Sequence, residues 1–575
     1  MSSENLFVRS VHWAERFFHP NYAGLFVATL FFGASMTPSL LPRDWFFQGL
    51  VSGINATIGY AIGCLIAALL RRFGPKIGWP QRIQELRESR RVVIIAKAVF
   101  VAVCLIFALI MAVKSGHWQH QITDLMGMPP ESDTGYMRTA LVGALVVGLL
   151  VWTWRGFARL IRSVSAGLNR WGRVPMSVAK PLGVVVVCVL AVLLFNGVLA
   201  KSFFAVANTA FSARNSHTSP NAVQPQSPLR SGSPESLAKW DTLGSEGRWF
   251  VSHAPTALAI SEVTGKPAKE PIRVYTGLES ADGTDAQAAL ALAELERTRA
   301  FERKAIVVIT TTGTGWVDST SAEAVELLFD GDTALVATQY SYLPSALSFL
   351  SDREKSMAMG RAVFDAVYDR WSKLPADSRP KLLVYGESLG SQGSEGAFSG
   401  LSDIRNRTDG VLWVGPPNSN RLWGEFVTRR DPGTEEILPI YADGFAVRFA
   451  SEPPQLDRPA KEKWTSPHIV YLQHASDPVV WWSPDLLFGR PDWLREPRGP
   501  DVLPSMDWYP IVTFWQVAAD LPRAQTVSDG HGHNYGNAVL GAWAAIVRPT
   551  DFTPEVAVRM QRFLEESAAE ERELK

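Results

Sequence analysis

Long apolar stretches are confined to the first 205 residues, and the remainder of the chain mixes short apolar runs with polar segments. Five stretches are candidate membrane spans: residues 21–36, 45–70, 92–113, 139–154 and 181–204. A helix needs roughly 20 apolar residues to cross a bilayer core, so the first and fourth are short. The pattern predicts an all-α transmembrane bundle over residues 21–205, surrounded by a lipid bilayer. An amphipathic segment over residues 1–20 precedes it.

Two of the loops between these stretches are strongly basic. Residues 71–91 contain seven Arg and Lys against two Glu, and residues 155–180 contain six Arg and Lys and no acid. Basic loops stay in the cytoplasm, so we expect a cytoplasmic N-terminus and, after five crossings, an extracytoplasmic C-terminal part. The five stretches contain no acidic residue, which favours an anchor over a transport pathway.

Composition removes several classes of function. Lys and Arg total 56, as do Asp and Glu, and a chain without a basic excess is not expected to bind nucleic acid. The three cysteines, Cys64, Cys104 and Cys188, all lie in apolar stretches and predict no disulfide framework. No Cys/His cluster indicates a metal, and no cofactor is predicted.

The C-terminal part alternates strand and helix patterns. A Ser/Pro-rich linker over residues 206–235 precedes a domain over residues 236–575. Predicted strands are 272–275, 305–311, 334–338, 381–385, 411–414, 469–472 and 524–527, and predicted helices include 286–295, 321–329 and 353–373. This alternation is typical of a mostly parallel, doubly wound sheet, whose active sites form at the carboxyl ends of the strands.

One motif in this domain carries catalytic chemistry. Gly386-Glu387-Ser388-Leu389-Gly390 matches G-x-S-x-G between a short apolar strand and a stretch of small residues. In a nucleophile elbow the serine lies on a strained turn, and glycines on both sides avoid collisions there. We therefore predict Ser388 as a nucleophile, with Gly386 and Gly390 forming the elbow.

A serine nucleophile needs a base and an orienting acid, which follow the serine in the order acid, then histidine. Asp477 follows the strand 469–472 and is the predicted acid, whereas His474 is too close to that strand to be the base. His531 and His533 both follow the predicted strand 524–527. We favour His531 as the base because glycines flank it on both sides, and His533 is the alternative.

Other positions are expected to complete the site. The backbone N–H of Leu389 and of Gly313 or Thr314 are candidates for an oxyanion hole. Residues 415–467 are the usual place for a cap over the site. For the tryptophans at 481, 482, 493, 508 and 515, core packing and an apolar acyl pocket are both open interpretations.

Several strings taken together resemble a known family: TPSLLPRDW, RVYTGLESA, VVITTTGTGWVD, YSYLPSALSF, YGESLGS and DGHGHNYG. They are similar to those of the bacterial membrane-anchored α/β-hydrolases that have their own N-terminal multi-span domain. The resemblance implies an α/β-hydrolase fold and a serine nucleophile at Ser388, and it adds little about the substrate.

Three functions compete on these observations. The first is a serine hydrolase of the esterase or lipase type, acting on acyl esters or lipids at the outer membrane face through an acyl-enzyme. The second is an acyltransferase that uses the same triad with an alcohol acceptor. The third is a non-enzymatic membrane scaffold or transport accessory protein that keeps the fold without turnover.

Overall fold

The computed structural model describes residues 21–73, 90–129, 135–459 and 463–574. The predicted amphipathic segment 1–20 and most of the basic loop 71–91 lie outside the described residues. The chain divides into two compact units, which are described separately. One combines Met1–Phe195 with Pro484–Arg523, and the other combines Asn196–Ser483 with Ala524–Lys575.

The first unit is helical. Its helices are α1 (Tyr22–Ser35), α2 (Trp45–Phe73), α3 (Arg90–Leu125), α4 (Tyr136–Trp171) and α5 (Met176–Leu193). After a π-helical turn at Leu194–Leu199, helix α6 (Ala200–Ser216) continues α5 in the chain. Four helical stretches are long and apolar enough to span a membrane: Trp45–Phe73, Val92–Leu125, Tyr136–Trp171 and Met176–Ser216.

The prediction of five spans is thereby corrected to four among the described residues. Helix α1 has 14 residues, which at 1.5 Å per residue gives about 21 Å, well short of a ~30 Å bilayer core. The predicted fourth stretch, 139–154, proves to lie largely in the N-terminal half of a 36-residue helix. Its polar flanks continue the helix, so hydropathy alone underestimated its length.

Small residues allow close helix contacts in this unit. A Cβ on Gly49 of α2 would lie 2.8 Å from the Thr139 carbonyl oxygen of α4. A Cβ on Gly63 of α2 would lie 2.3 Å from the Ala23 carbonyl oxygen of α1. Apolar side chains gain little by leaving lipid, so such backbone contact is the usual source of helix association in membranes.

A segment from late in the chain belongs to this helical unit. Residues 484–523 fall within the predicted 236–575 domain, yet they pack against α1, α2 and the connection between them. Asp520 Oδ2 accepts the Leu40 N–H at 3.1 Å, and Arg43 Nε lies 3.6 Å from Asp520 Oδ1. Both charged side chains are fully buried, so each depends on the other for its neutralisation.

The second unit is an α/β domain around a seven-stranded sheet. The strands are β1 (Ile272–Thr276), β2 (Ala305–Thr310), β3 (Thr333–Thr338), β4 (Lys381–Glu387), β5 (Gly410–Val414), β6 (Val447–Ala450) and β7 (His468–Leu472). Their order is β1-β3-β2-β4-β5-β7-β6, and every pair is parallel. Apart from the exposed Lys381 at the start of β4, the central strands β2, β4 and β5 are buried along their length, as their runs of apolar residues predict.

Helices cover both faces of this sheet, and one further helix belongs to the first unit. In chain order they are α7 (Gly244–Ser252), α8 (Ala257–Thr264), α9 (Thr284–Arg297), α10 (Ser319–Leu328), α11 (Ser345–Ser351), α12 (Arg353–Trp371), α13 (Leu389–Glu395), α14 (Leu401–Arg407), α15 (Arg421–Thr428), α16 (Pro478–Trp481), α17 (Val512–Asp520, first unit), α18 (Gly536–Val547) and α19 (Pro554–Leu574). The predicted α/β-hydrolase architecture, mostly parallel and doubly wound, is confirmed.

Two details of the sheet differ from the prediction. Residues 524–527 form no strand, and the edge position next to β7 is taken by β6, which comes earlier in the chain. The four residues of β6 lie in the stretch 415–467, where the sequence predicts a cap and no strand. A four-residue edge strand amid Pro, Trp and Arg gives too weak a pattern to be found from sequence.

The predicted linker is part helix and part surface of the α/β domain. Helix α6 extends to Ser216, and the chain then reaches the edge of the sheet, where Ser231 N–H donates to the Arg273 carbonyl at 3.1 Å. Arg230 and Ser231 are buried there, and Ser231 Oγ donates to Glu294. This part of the Ser/Pro-rich segment is packed structure and not a free spacer.

Candidate active site

Ser388 lies at the sharp turn between β4 and α13. Its backbone angles are φ 51° and ψ −128°, a region that residues with side chains rarely adopt. The Ser388 N–H donates to the Val414 carbonyl of β5 at 2.8 Å, which ties the turn to the neighbouring strand. Strain of this kind persists only where the surrounding structure holds it, and it is often found at functional sites.

The two glycines of the motif make this turn possible. A Cβ on Gly386 would lie 2.6 Å from the Gly390 carbonyl oxygen, and a Cβ on Gly390 would lie 2.3 Å from the Thr310 carbonyl oxygen. Both distances are far below ordinary contact, so neither position accepts a larger residue. The elbow therefore has the geometry that the G-x-S-x-G pattern predicts, with helix α13 packed directly against the end of β2.

Asp477 follows β7 and is completely buried. Its Oδ1 accepts the Val479 N–H at 2.8 Å and so caps the short helix α16. Its Oδ2 lies 2.7 Å from His533 Nδ1 and accepts the Tyr535 hydroxyl at 2.7 Å. A buried carboxylate that holds one imidazole nitrogen is the arrangement in which an acid orients a catalytic histidine.

The histidine paired with Asp477 is His533, so the preference for His531 is corrected in favour of the alternative. The loop is held on both sides of this residue: Gly532 N–H donates to Ser476 Oγ at 2.8 Å, and His533 N–H donates to the Ala524 carbonyl at 2.7 Å. These bonds direct the side chain of His533 inward, where it is 3% exposed, whereas His531 is half-buried.

Two aromatic groups complete the frame around this pair. The Tyr535 hydroxyl accepts the His474 N–H at 3.0 Å while it donates to Asp477. The His474 ring stacks on Tyr535 at 4.0 Å, and its Nδ1 lies 2.9 Å from the Gly532 carbonyl oxygen. His474 thus supports the loop that carries His533. Tyr535 was missed from the sequence; its place two residues after His533 was the only signal.

The imidazole of His533 lies at the same edge of the sheet as Ser388. A Cβ on Gly415, the residue after β5, would lie 2.3 Å from His533 Cε1. Because Ser388 is bonded to Val414, the residue before Gly415, the ring is beside the nucleophile turn. His533 Nε2 is buried and has no hydrogen-bond partner among the described residues. The sheet thus brings Ser388, Asp477 and His533 together at one edge.

The charges around His533 favour its protonated form. Burial lowers the pKa of the imidazole, but the charge and hydrogen bond of Asp477, together with the charge of Glu387, outweigh it, so the pKa is raised. Glu387, next to Ser388 in the motif, is buried itself, and this burial raises its pKa although His533 and the Tyr385 hydroxyl oppose the shift. No sequence pattern predicted an electrostatic role for Glu387.

The predicted oxyanion positions lie on two neighbouring segments. Leu389 is the first residue of α13, and the first N–H groups of a helix have no acceptor inside it. Gly313 and Thr314 lie in a turn after β2 that the Thr312 N–H closes on the Trp316 carbonyl at 3.1 Å. The Thr314 carbonyl accepts Gln339 Nε2 at 2.7 Å. Since β2 pairs with β4, this turn borders the elbow, and its role as an oxyanion hole stays a prediction.

A second buried carboxylate holds the segment after β5 near the elbow. Glu395, at the end of α13, accepts the Leu422 N–H at 2.8 Å and the Tyr471 hydroxyl at 2.9 Å. Burial raises its pKa to about 7 against the lowering effect of these hydrogen bonds. Leu422 lies in the first turn of α15, where a negative charge is favourable. Glu395 therefore fixes the start of the predicted cap on the elbow helix.

The tryptophans divide between two environments. Trp481 is fully buried and donates to the His474 carbonyl at 3.0 Å, so it packs in the core beside the Asp477 segment. Trp493 is also buried, whereas Trp482, Trp508 and Trp515 are half-buried. Trp493, Trp508 and Trp515 belong to the helical unit and not to the α/β domain. Core packing accounts for Trp481 and Trp493.

A cavity of about 510 Å³ opens beside His533. Trp316 and Tyr535 contribute aromatic lining, and Arg572 is its basic residue. Five carboxyl groups line it: Asp318, Glu387, Asp529, Glu565 and Glu571. Its volume falls within the range of small-molecule sites. Because carboxyl groups outnumber basic groups, a phosphate-bearing group is disfavoured there.

The parallel sheet, the strained serine turn after β4 and the buried Asp-His pair define the class of this protein as an α/β-hydrolase fold. Residues 272–560 match the profile of the Alpha/beta-hydrolase family, and residues 36–255 match that of the Alpha/beta-hydrolase family N-terminus. The chain belongs to this family, and its helical N-terminal part is a family feature. No curated protein and no solved structure matches the chain.

Replacing the two histidines separately will identify the base. His533→Gln should lower kcat/KM for a short-chain p-nitrophenyl ester by about 10³-fold or more, since the group that accepts the nucleophile's proton is lost. His531→Gln, two residues away in the same loop, is the matched control and should change kcat/KM by less than about tenfold. A larger loss of kcat/KM in His531→Gln than in His533→Gln would instead identify His531 as the base.

The Glu387 carboxylate should contribute, after Asp477, to the pH at which the enzyme becomes active. His533 accepts a proton only when it is neutral. Its raised pKa therefore shifts the acidic limb of the pH profile of kcat/KM to higher pH. Glu387→Gln removes one of the charges that raise this pKa, and the acidic limb of kcat/KM should move to lower pH. A limb that stays in place or moves upward would contradict the electrostatic role.

Proposed function

We propose that this protein is a membrane-anchored serine hydrolase that cleaves acyl esters through an acyl-enzyme on Ser388. The observation that carries the proposal is the buried Asp477–His533 pair at the sheet edge where the strained turn presents Ser388. Family membership supports hydrolase chemistry. The assignment to esters rests on the residue types, since a serine, a histidine and an oxyanion site are suited to acyl transfer.

Each residue has a defined step in this reaction. His533 Nε2 takes the proton of the Ser388 hydroxyl as its oxygen attacks the ester carbonyl carbon. Asp477 holds Nδ1–H and stabilises the imidazolium that forms. The N–H of Leu389, with that of Gly313 or Thr314, stabilises the negative charge on the carbonyl oxygen. His533 then returns the proton to the leaving alcohol, and water repeats the sequence to release the acid.

The acidic cavity beside His533 limits the part of the substrate that enters it. Five carboxyl groups line it, and Arg572 is the one Lys or Arg side chain among its described lining residues. A phosphorylated head group would be repelled, whereas a neutral, hydroxyl-rich or cationic group would be accepted. We therefore propose neutral or cationic acyl esters as the substrate class.

The position of the α/β domain follows from the two basic loops. If both loops are cytoplasmic, the helices Trp45–Phe73, Val92–Leu125, Tyr136–Trp171 and Met176–Ser216 cross alternately, and the last one ends outside. This result does not depend on the short helix α1, so the correction from five spans to four leaves it unchanged. The expected cytoplasmic N-terminus does depend on α1, because without a crossing by α1 the residues before Trp45 are on the outer side as well. We propose that the α/β domain is extracytoplasmic.

A serine-directed probe tests the nucleophile. A fluorophosphonate should label the full-length protein in membranes, and Ser388→Ala should abolish labelling, because the probe bonds to an activated serine oxygen. Ser391→Ala, three residues further in the elbow helix, is the control and should keep more than about a third of the signal. Labelling that survives Ser388→Ala would refute the assignment, and an unlabelled wild type would favour a non-enzymatic role.

Cysteine accessibility tests the topology. Cys64, Cys104 and Cys188 are first replaced by alanine, and a single cysteine is then introduced at the exposed Val223. A membrane-impermeant maleimide should label Val223→Cys in intact cells stripped of outer barriers. Arg170→Cys, in the last turn of helix α4 and within the second basic stretch, is the control and should be labelled only after permeabilisation. The reverse pattern would place the α/β domain in the cytoplasm.

A further inference from the structure

The helical unit contains a cavity that neither the anchoring role nor the proposed chemistry uses. It has a volume of about 390 Å³ and lies among helices α1 to α4. Along α2 it extends from Trp45 to Ala56, which corresponds to about 16 Å at the rise of an α-helix. Its size is that of a site for a small molecule, and its long axis runs along the helices.

The lining changes from polar to apolar along this axis. At one end it is formed by Arg43, Gln48, Gln119, His120 and Thr123. At the other end it is formed by small and apolar residues, namely Gly53, Ala56, Ala112, Gly143, Ala144 and Val147. A cavity that is polar at one end and apolar at the other, in a unit of membrane-spanning helices, is suited to bind an amphiphilic molecule.

The polar end presents two amide atoms without a hydrogen-bond partner among the described residues. Gln48 is 6% exposed, and its Nε2 donates to the Ser35 carbonyl at 3.1 Å and to Ser52 Oγ at 2.9 Å, so Oε1 is left as a free acceptor. Gln119 Oε1 accepts the Arg43 N–H at 2.7 Å, which leaves Nε2 as a free donor. Buried groups of this kind are normally satisfied.

The charges at this end cancel. Arg43 is paired with Asp520, and Asp44 Oδ2 lies 3.2 Å from Arg523 Nη1. A ligand head group there meets a free acceptor and a free donor but no net charge from these residues. A hydroxyl matches the two amide atoms chemically, because it donates one hydrogen bond and accepts another.

We propose that this cavity binds a neutral lipid with a single acyl chain and a hydroxyl-bearing head, of the monoacylglycerol type. The chain occupies the apolar end between α2, α3 and α4, and the head hydroxyl bonds to Gln48 Oε1 and Gln119 Nε2. The proposal concerns the helical unit alone and does not rest on the hydrolase activity.

Photolabelling of the full-length protein in phosphatidylcholine nanodiscs tests it. A monoacylglycerol with a diazirine in its chain should label residues 112–123 and 135–147 in a saturable way, and unlabelled monoacylglycerol should compete. Ala140→Phe fills the cavity and should reduce saturable labelling by about tenfold. Leu145→Phe, on the same helix but outside the lining, is the control and should leave it unchanged. Non-saturable labelling, or equal labelling in Ala140→Phe, would overturn the proposal.

The head-group assignment has its own test. Gln119→Met should weaken competition by monoacylglycerol about fivefold, the effect of one lost hydrogen bond, and should not weaken competition by a fatty acid methyl ester without a hydroxyl. Thermal melting and gel filtration of each variant confirm that it is folded. Stronger competition by phosphatidylglycerol than by monoacylglycerol would show an anionic lipid site and contradict the neutral head.

Discussion

The α/β domain depends on one steric constraint, the direct contact between the elbow helix α13 and the end of β2. Thr310 leaves so little room that Gly390 has no space for a Cβ, and Gly386 is equally close to the Gly390 carbonyl. With both glycines in place the chain reverses within one residue, and Ser388 takes the strain at φ 51°. The loss of either glycine would push the helix from the sheet and move the serine.

Buried charges form the second organising feature, and each is held by specific partners. Asp477 has a backbone N–H, an imidazole and a phenol around its two oxygens. Glu395 likewise accepts the Leu422 N–H and the Tyr471 hydroxyl, and Arg43 and Asp520 are partners of each other. An unpaired buried charge costs several kcal/mol, so these partners fix the conformation as well as the charge.

The electrostatics at the sheet edge link structure to chemistry. Glu387 and Asp477 both raise the pKa of His533, so the imidazole is a stronger base than its burial alone would allow. A stronger base removes the serine proton more readily once it is neutral, at the cost of a higher pH for activity. Within the motif, Glu387 thus acts on the pKa of His533, whereas Gly386 and Gly390 allow the sharp turn at Ser388.

Much of the fold was open to prediction because it rests on local patterns. Six of the seven predicted strands are present, since each is a run of β-branched and apolar residues buried on both faces. The seventh, 524–527, is absent because a strand at that edge depends on a neighbour for pairing, and β6 fills the position. Hydropathy identified the long helices but also predicted α1 as a membrane span. The 14 residues of α1 are apolar yet too few to cross a bilayer core.

The sequence by itself predicted the elbow, the candidate acid and the parallel α/β sheet, because G-x-S-x-G, an Asp after a strand and the repeated strand-helix pattern act over short distances. The family was indicated by the resemblance of several strings, which the family profiles confirm. The choice between His531 and His533 was decided only by tertiary structure. Their local surroundings are nearly alike, and hydrogen bonds from Gly532 to Ser476 and from His533 to Ala524 set which ring faces Asp477. The same holds for the segment 484–523. Its place in the helical unit follows from the buried ion pair between Arg43 and Asp520, which are far apart in the sequence.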